Sequence, residues 1–276
     1  MKPRNMVDER FSLMSLVFRL AGEPSYRVTK TKYQRKLNRT FATFKNHPAI
    51  RCASGLTMAG DQVFSFAMHL VKEENCFRLS DIESLVSDAK WHWNRETAAE
   101  FLPLLNDFYA DTEFGNFFDE HTAFYEQVTM RFVEKHYSRV DLEWFRKYVD
   151  PAQLCCIFNP SAAYVSFGLT MGDAVYAGVA QLADSAVIVH EYCHHFANPL
   201  AEKWYAQDPA FKKLCDDPAS KPVGYLSEGL VMAREYITRA YVILYQVQHG
   251  KRLPPLLRAE KANGFPFIKE AYAMIN

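Results

Sequence analysis

AVIVHEYCHHFANP, residues Ala186 to Pro199, holds His190, Glu191, His194 and His195 within six positions. On an α-helix, residues four apart share a face, so His190 and His194 present both imidazoles to one point. Imidazole nitrogen is among the usual ligands of zinc. Glu191, next to the first histidine, is placed to take a proton from a zinc-bound water without ligating the ion. This is the H-E-x-x-H arrangement of zinc peptidases. Val187, Ile188 and Val189 are apolar, and Tyr192 and Cys193 are uncharged, as a half-buried site helix requires. Cys193 and His195 fall off the ligand face, the first as a packed thiol and the second as a supporting or surface residue. The bland alternative is a structural helix whose histidines are satisfied by neighbours.

Working outward, Asp184 or Ser185 suits the N-cap of this helix, and Pro199 predicts its end near Ala197. Upstream, LCCIFNPSAAYVSFGLTMGDAVYAGVA is rich in β-branched, small and aromatic residues with Gly and Pro punctuation. It predicts two or three strands, at Leu154 to Phe158, Tyr164 to Leu169 and Ala174 to Ala177. Downstream, after a polar loop, apolar periodicity predicts a long helix from Ser227 to Gln248, stopped by Gly250. Further helices are expected at Asp8 to Ala21, Asp61 to Lys72, Leu79 to Val86, Thr97 to Tyr109 and Phe114 to His136. The aromatics of the last (Phe114, Phe117, Phe118, Phe124, Tyr125, Phe132) read as core. The fold class is thus α+β and mostly helical, with a small sheet and the H-E-x-x-H helix. No linker-like stretch divides the 276 residues, so one domain is expected: a helical lobe over 1–150, then the sheet and two site helices over 151–276.

Lys plus Arg and Asp plus Glu number 32 each, so no overall field points to nucleic acid or an anionic membrane. The basic run Arg27, Lys30, Lys32, Arg35, Lys36 and Arg39 reads as a solvated helix face. Six cysteines without C-x-x-C spacing argue against a zinc ribbon or a disulfide scaffold. No apolar run reaches spanning length, so no transmembrane helix is expected. In MKPRNMVDERFSLMSLVFRLAG, charges precede and interrupt the apolar positions. It does not read as a signal peptide, which leaves a cytoplasmic protein or one exported with its signal removed.

A catalytic zinc site takes three protein ligands and keeps one position open. Leu200 stands where a third histidine at H-E-x-x-H-x-x-G-x-x-H spacing would be. The third ligand is then a carboxylate from the following helix, Glu228 or Glu235, which share a face two turns apart. Glu235 also reads as an i,i+4 partner of Arg239, a pairing that can orient a ligating carboxylate.

Two resemblances bear on that choice. YLSEG (Tyr225 to Gly229) resembles the W-L-N-E-G of aminopeptidase-type gluzincins, in which the glutamate binds zinc, and this implies Glu228. Over most of the chain, VDERFSLMSLVFRLAG, HEYCHHFANPL and EYITRAYVILY resemble, in order, three motifs of the bacterial domain of unknown function 4932 family. Those motifs read R-x-E-L-x-S-x-x-F-R-L-A, H-E-F-x-H-S-F-V-N-P-L and E-x-x-V-R-A-x-x-x-R-Y. The chain's departures from them include Ser12, His195, Thr238 and Leu244, and it matches at His190, Glu191 and His194. That family is itself similar to gluzincin peptidases. The resemblance implies a zincin-like fold, a single zinc ion held by His190, His194 and Glu235, and a peptide or protein substrate. Glu191 would be the catalytic base. Another divalent ion in place of zinc stays open, and so does a non-catalytic zinc-stabilised binding protein on the same scaffold.

Around the centre, zincin-type peptidases hold substrate along a sheet edge, which points to Ala162 to Leu169 unless that strand is simply buried. Tyr236, Arg239 and Tyr241 are candidates to stabilise an oxyanion. His47, Asp61 and His69 are weaker candidates for a cleft wall, and Asn198 for a cap on the site helix.

Overall fold

A computed structural model describes residues 6–56, 60–88, 93–220 and 228–276. They fall into two compact units. One takes in residues up to Arg139 together with Cys156–Phe167 and Ala177–Ser185; the other is Val140–Cys155, Gly168–Tyr176 and Ala186–Asn276. The chain is mostly helical with small sheets, an α+β composition.

The first unit is built on α1 (Glu9–Ala21), which is buried continuously from Phe11 to Arg19. Asp8 starts it by accepting from the backbone N–H groups of Arg10 and Phe11, and Gly22 ends it with φ of 91°. Short α2 (Pro24–Arg27) and capped α3 (Lys32–Thr40) follow. All six basic residues between Arg27 and Arg39 are exposed, while Tyr33, Gln34 and Leu37 turn inward. The guanidinium of Arg19, also buried, donates to the carbonyls of Tyr26, Val28 and Ser161 and to the side chains of Asn38 and Thr29. It thereby staples loops from three parts of the unit.

Against α1 lie α4 (Pro48–Gly55) and α5 (Gly60–His69). Here the expected helix to Lys72 is corrected, because α5 stops at His69. The chain then forms a hairpin of β1 (Leu70–Glu73) and β2 (Cys76–Leu79), in register Leu70 with Leu79. An apolar Leu-Val step suits either period, and the partner strand decides it. Glu74 turns the hairpin with φ of 37°, and the Asn106 side chain binds both backbone groups of Phe77. The helix expected from Leu79 starts at Ile82, as α6 (Ile82–Asp88).

Next come α7 (Arg95–Asp111), α8 (Phe114–Glu120) and α9 (Thr122–Lys135). The single helix expected from Phe114 to His136 is broken at His121, whose ring binds the carbonyl of Phe117 at 2.6 Å. Of its aromatics only Phe124 stays half-buried, stacked on Tyr33. His47 caps α4, and His69 is fully buried against the carbonyl of Ser65, so both serve the fold.

The three-stranded sheet has the order β3 (Leu154–Asn159), β5 (Ala174–Ala180), β4 (Phe167–Met171), with β4 on an edge. Gly172, at φ of 56°, opens the two-residue turn from β4 to β5. A connection that short makes the pair antiparallel.

In the second unit α10 (Ser185–Gln207) carries the H-E-x-x-H residues. Its expected end before Pro199 is corrected, since the helix runs two turns further. An interior proline costs about 3 kcal/mol. The helix nevertheless continues, with Ala197 and Ala201 buried on either side of the proline and Glu202 paired with Arg234 on the facing helix. That facing helix is α12 (Gly229–Gln248), preceded by α11 (Pro209–Asp216) and followed by α13 (Leu253–Ala262) and α14 (Ile268–Ile275). Of the segment YLSEG, Tyr225 to Ser227 lie outside the described residues.

Aromatics hold α10 to α12. Phe196 stacks on Tyr148 at 3.8 Å between centroids and meets Tyr241 edge-on at 4.9 Å. Trp144 and Asp141 bind the far end of α12 through Gln248, Tyr245 and His249. The six cysteines are free. No helix among the described residues is long and apolar enough to cross a membrane.

Candidate metal centre

The one-turn spacing on α10 brings the Nε2 atoms of His190 and His194 to 3.1 Å. Two imidazole lone pairs at that distance repel unless a cation or a proton lies between them. Ligand atoms of His190, Glu191 and His194 all lie within 4.8 Å of one another, a group that could hold a metal ion. From α12, Glu235 closes the opposite side. Its Oε2 is 3.7 Å from Nε2 of His190 and its Oε1 is 3.7 Å from Nε2 of His194. Atoms that share a tetrahedral zinc ion stand about 3.3 Å apart. The two imidazoles and Glu235 fit such an ion, one carboxylate oxygen facing each ring. Glu191 approaches from the side, with Oε2 3.9 Å from Nε2 of His194.

Glu228, the other candidate, is exposed at the N-cap of α12. Seven residues of helix put it about 10 Å along the axis from Glu235. It is Glu235 that faces the rings.

The tautomer of His194 is set from behind. Nδ1 of His194 lies 3.0 Å from the Asn198 Oδ1 and 3.2 Å from the Thr238 hydroxyl. The amide oxygen accepts the Nδ1 proton, which leaves the Nε2 lone pair directed at the site. Asn198 is therefore a partner of the His194 ring rather than a cap, and its i,i+4 spacing from His194 was the readable signal. Thr238 had no such signal, because it belongs to the other helix.

Charge follows from this packing. Burial depresses His194 to about 4, and the neighbouring His190 lowers it further. Burial also works against the charged form of His190, but the Glu235 carboxylate prevails and raises it above the ordinary 6.5. Burial would raise Glu235, yet His190, His194 and Arg239 together hold it well below the carboxylate range. Without metal, then, the packing favours a proton on His190 over one on His194, facing an ionised Glu235. The Cys193 thiol is pushed up by burial and then by Glu191, so it stays a protonated packing group. His195 bonds Thr170 of β4 at 2.9 Å, off the ligand face.

The oxyanion candidates have other partners. Tyr236 is fully buried, edge-on to Phe265, and burial pushes it up to about 12. Tyr241 packs on Tyr148 and Phe196, and Arg239 pairs with Glu235 and Glu260.

Edge strand β4 reaches the centre through Gly168, where a Cβ would stand 2.5 Å from the Glu191 carbonyl oxygen and 3.1 Å from the His194 Cβ. Neither neighbour is the free end of a flexible side chain, so the close approach of strand to helix requires glycine. Gly168→Ala is expected to lower stability by about 1–3 kcal/mol through overpacking and to weaken metal binding with it. Denaturant unfolding and a zinc titration check this, and wild-type values in both would disprove the contact. Comparison with family models, with curated proteins and with solved structures finds no match to this chain.

Proposed function

We propose that this protein is a zincin-like, zinc-dependent metallopeptidase, in which His190, His194 and Glu235 hold one zinc ion and Glu191 is the general base. One observation carries the proposal: two imidazole nitrogens 3.1 Å apart on α10 are met by a buried carboxylate from α12, one oxygen to each ring. Two histidines and a glutamate are a catalytic rather than a structural zinc set, since they leave a coordination position open. When bound there, the ion would acidify water and polarise a carbonyl.

The chain's own residues supply the rest. Glu191, buried beside His194, accepts a proton from the attacking water and passes it to the leaving amine. Asn198 and Thr238 keep the His194 ring oriented while that proton moves. Half-exposed β4, at the sheet edge and against the turn that carries Glu191, offers main-chain pairing to an extended peptide.

A second reading, a non-catalytic zinc-stabilised binding protein, is favoured by one observation. Tyr236, Tyr241 and Arg239 are all engaged in packing or pairing rather than held ready for an oxyanion.

The first test is elemental analysis of purified protein across pH. About one zinc per chain is expected at neutral pH. A metal must displace any proton on His190, so zinc affinity is full above that group's raised pKa and weakens progressively as pH falls below it, and occupancy is expected to be lost on the acid side. Protein that is metal-free and refuses added zinc at neutral pH would end both readings.

A further inference from the structure

Arg239 is an ambivalent neighbour for a metal ligand. Its Nε donates to Oε2 of Glu235 at 3.2 Å, which orients the carboxylate. Its charge also competes for the same oxygen lone pairs that a metal needs. The guanidinium is restrained from its other side. Glu260, on α13, accepts from Nη1 of Arg239 at 2.9 Å, the shorter of the two bonds. The Phe265 ring covers the guanidinium face, 3.9 Å from its carbon to the ring centroid. The side chains of Glu235, Arg239 and Glu260 are only 12%, 20% and 21% exposed, so water screens this row of charges weakly. An ordinary i,i+4 pair on a helix surface has neither a second carboxylate from another helix nor an aromatic cover.

We infer that Glu260 is a positioning residue for the metal centre. It holds Arg239 so that the guanidinium gives Glu235 one orienting hydrogen bond and leaves the face toward His190 and His194 to a cation. The row Glu260, Arg239, Glu235 alternates in sign, and Glu260 balances the arginine charge that would otherwise fall on the ligand. With Glu260 neutral, more of the arginine charge falls on Glu235. This role rests on the metal reading above, with Glu235 as a ligand.

The test is zinc affinity by competition with a chromophoric chelator, on wild type, Glu260→Gln, Glu260→Asp, Arg239→Ala and the Glu260→Gln/Arg239→Ala double variant. The thermal midpoint of each metal-free protein is measured beside it. Glu260→Gln is expected to bind zinc about tenfold more weakly, the scale of losing a group that supports a ligand. Its metal-free midpoint should stay near wild type, and Glu260→Asp should recover part of the affinity. The double variant should be no weaker than Arg239→Ala alone, because Glu260 acts only through the arginine. Wild-type affinity in Glu260→Gln, or a loss matched by an equal drop in metal-free stability, would overturn the role while leaving the metal site intact. Wild type that binds no zinc would overturn both.

Discussion

Glu191→Gln is expected to leave zinc in place and to reduce peptide hydrolysis by about 10²- to 10⁴-fold, the usual contribution of a general base. Glutamine keeps the size of the side chain and cannot take a proton from water. The position invites a clean experiment, because Glu191 is buried on α10 beside His194 and the proposed ligand set does not include it. Digestion of a diverse peptide mixture, read by mass spectrometry, works without choosing a substrate in advance. Cleavage by wild type, lost in Glu191→Gln at equal zinc content, would establish the enzyme. Zinc in both proteins and cleavage by neither would favour the binding protein. Undiminished cleavage by the variant would remove Glu191 from the mechanism and trace the activity elsewhere.

Glu235→Ala should weaken zinc binding by more than about a hundredfold, beyond what the loss of a merely supporting group costs. Of the proposed ligands only the two imidazoles would remain, with no carboxylate between them and the Arg239 guanidinium. Glu228→Ala is the matched control: exposed at the N-cap, it should bind zinc as wild type does. If the two results were exchanged, the third ligand would be Glu228. Equal zinc affinity in all three proteins would leave the ion with the residues of α10 alone.

The sequence showed a good part of this because the central features are local. A helix with His190 and His194 one turn apart needs only its period to be read, and the strands before it announced themselves by composition. The choice between Glu228 and Glu235 was beyond periodicity, since seven residues return to the same face; axial position along α12 separates them. Asn198 was readable from its spacing to His194. Glu260 was not, because no pattern along the chain links α13 to α12. The hairpin at Leu70–Leu79 escaped because two apolar residues fit a helix and a strand equally well. Pro199 misled by a rule that holds for isolated helices and yields where buried alanines and an ion pair hold the next turns in place.

Pro199 has one further consequence. Lacking an N–H, it cannot bond the carbonyl of His195, so the ladder of α10 is interrupted one turn beyond His194. Helix order propagates bond by bond, and so does its loss. Loss of order that starts at the Gln207 end therefore has one bond fewer to break at Pro199, and His190 and His194 lie on the other side of that point. The proline that shortens the helix on paper leaves it continuous, and sets its weakest backbone link on the far side of His190 and His194 from the start of the helix at Ser185.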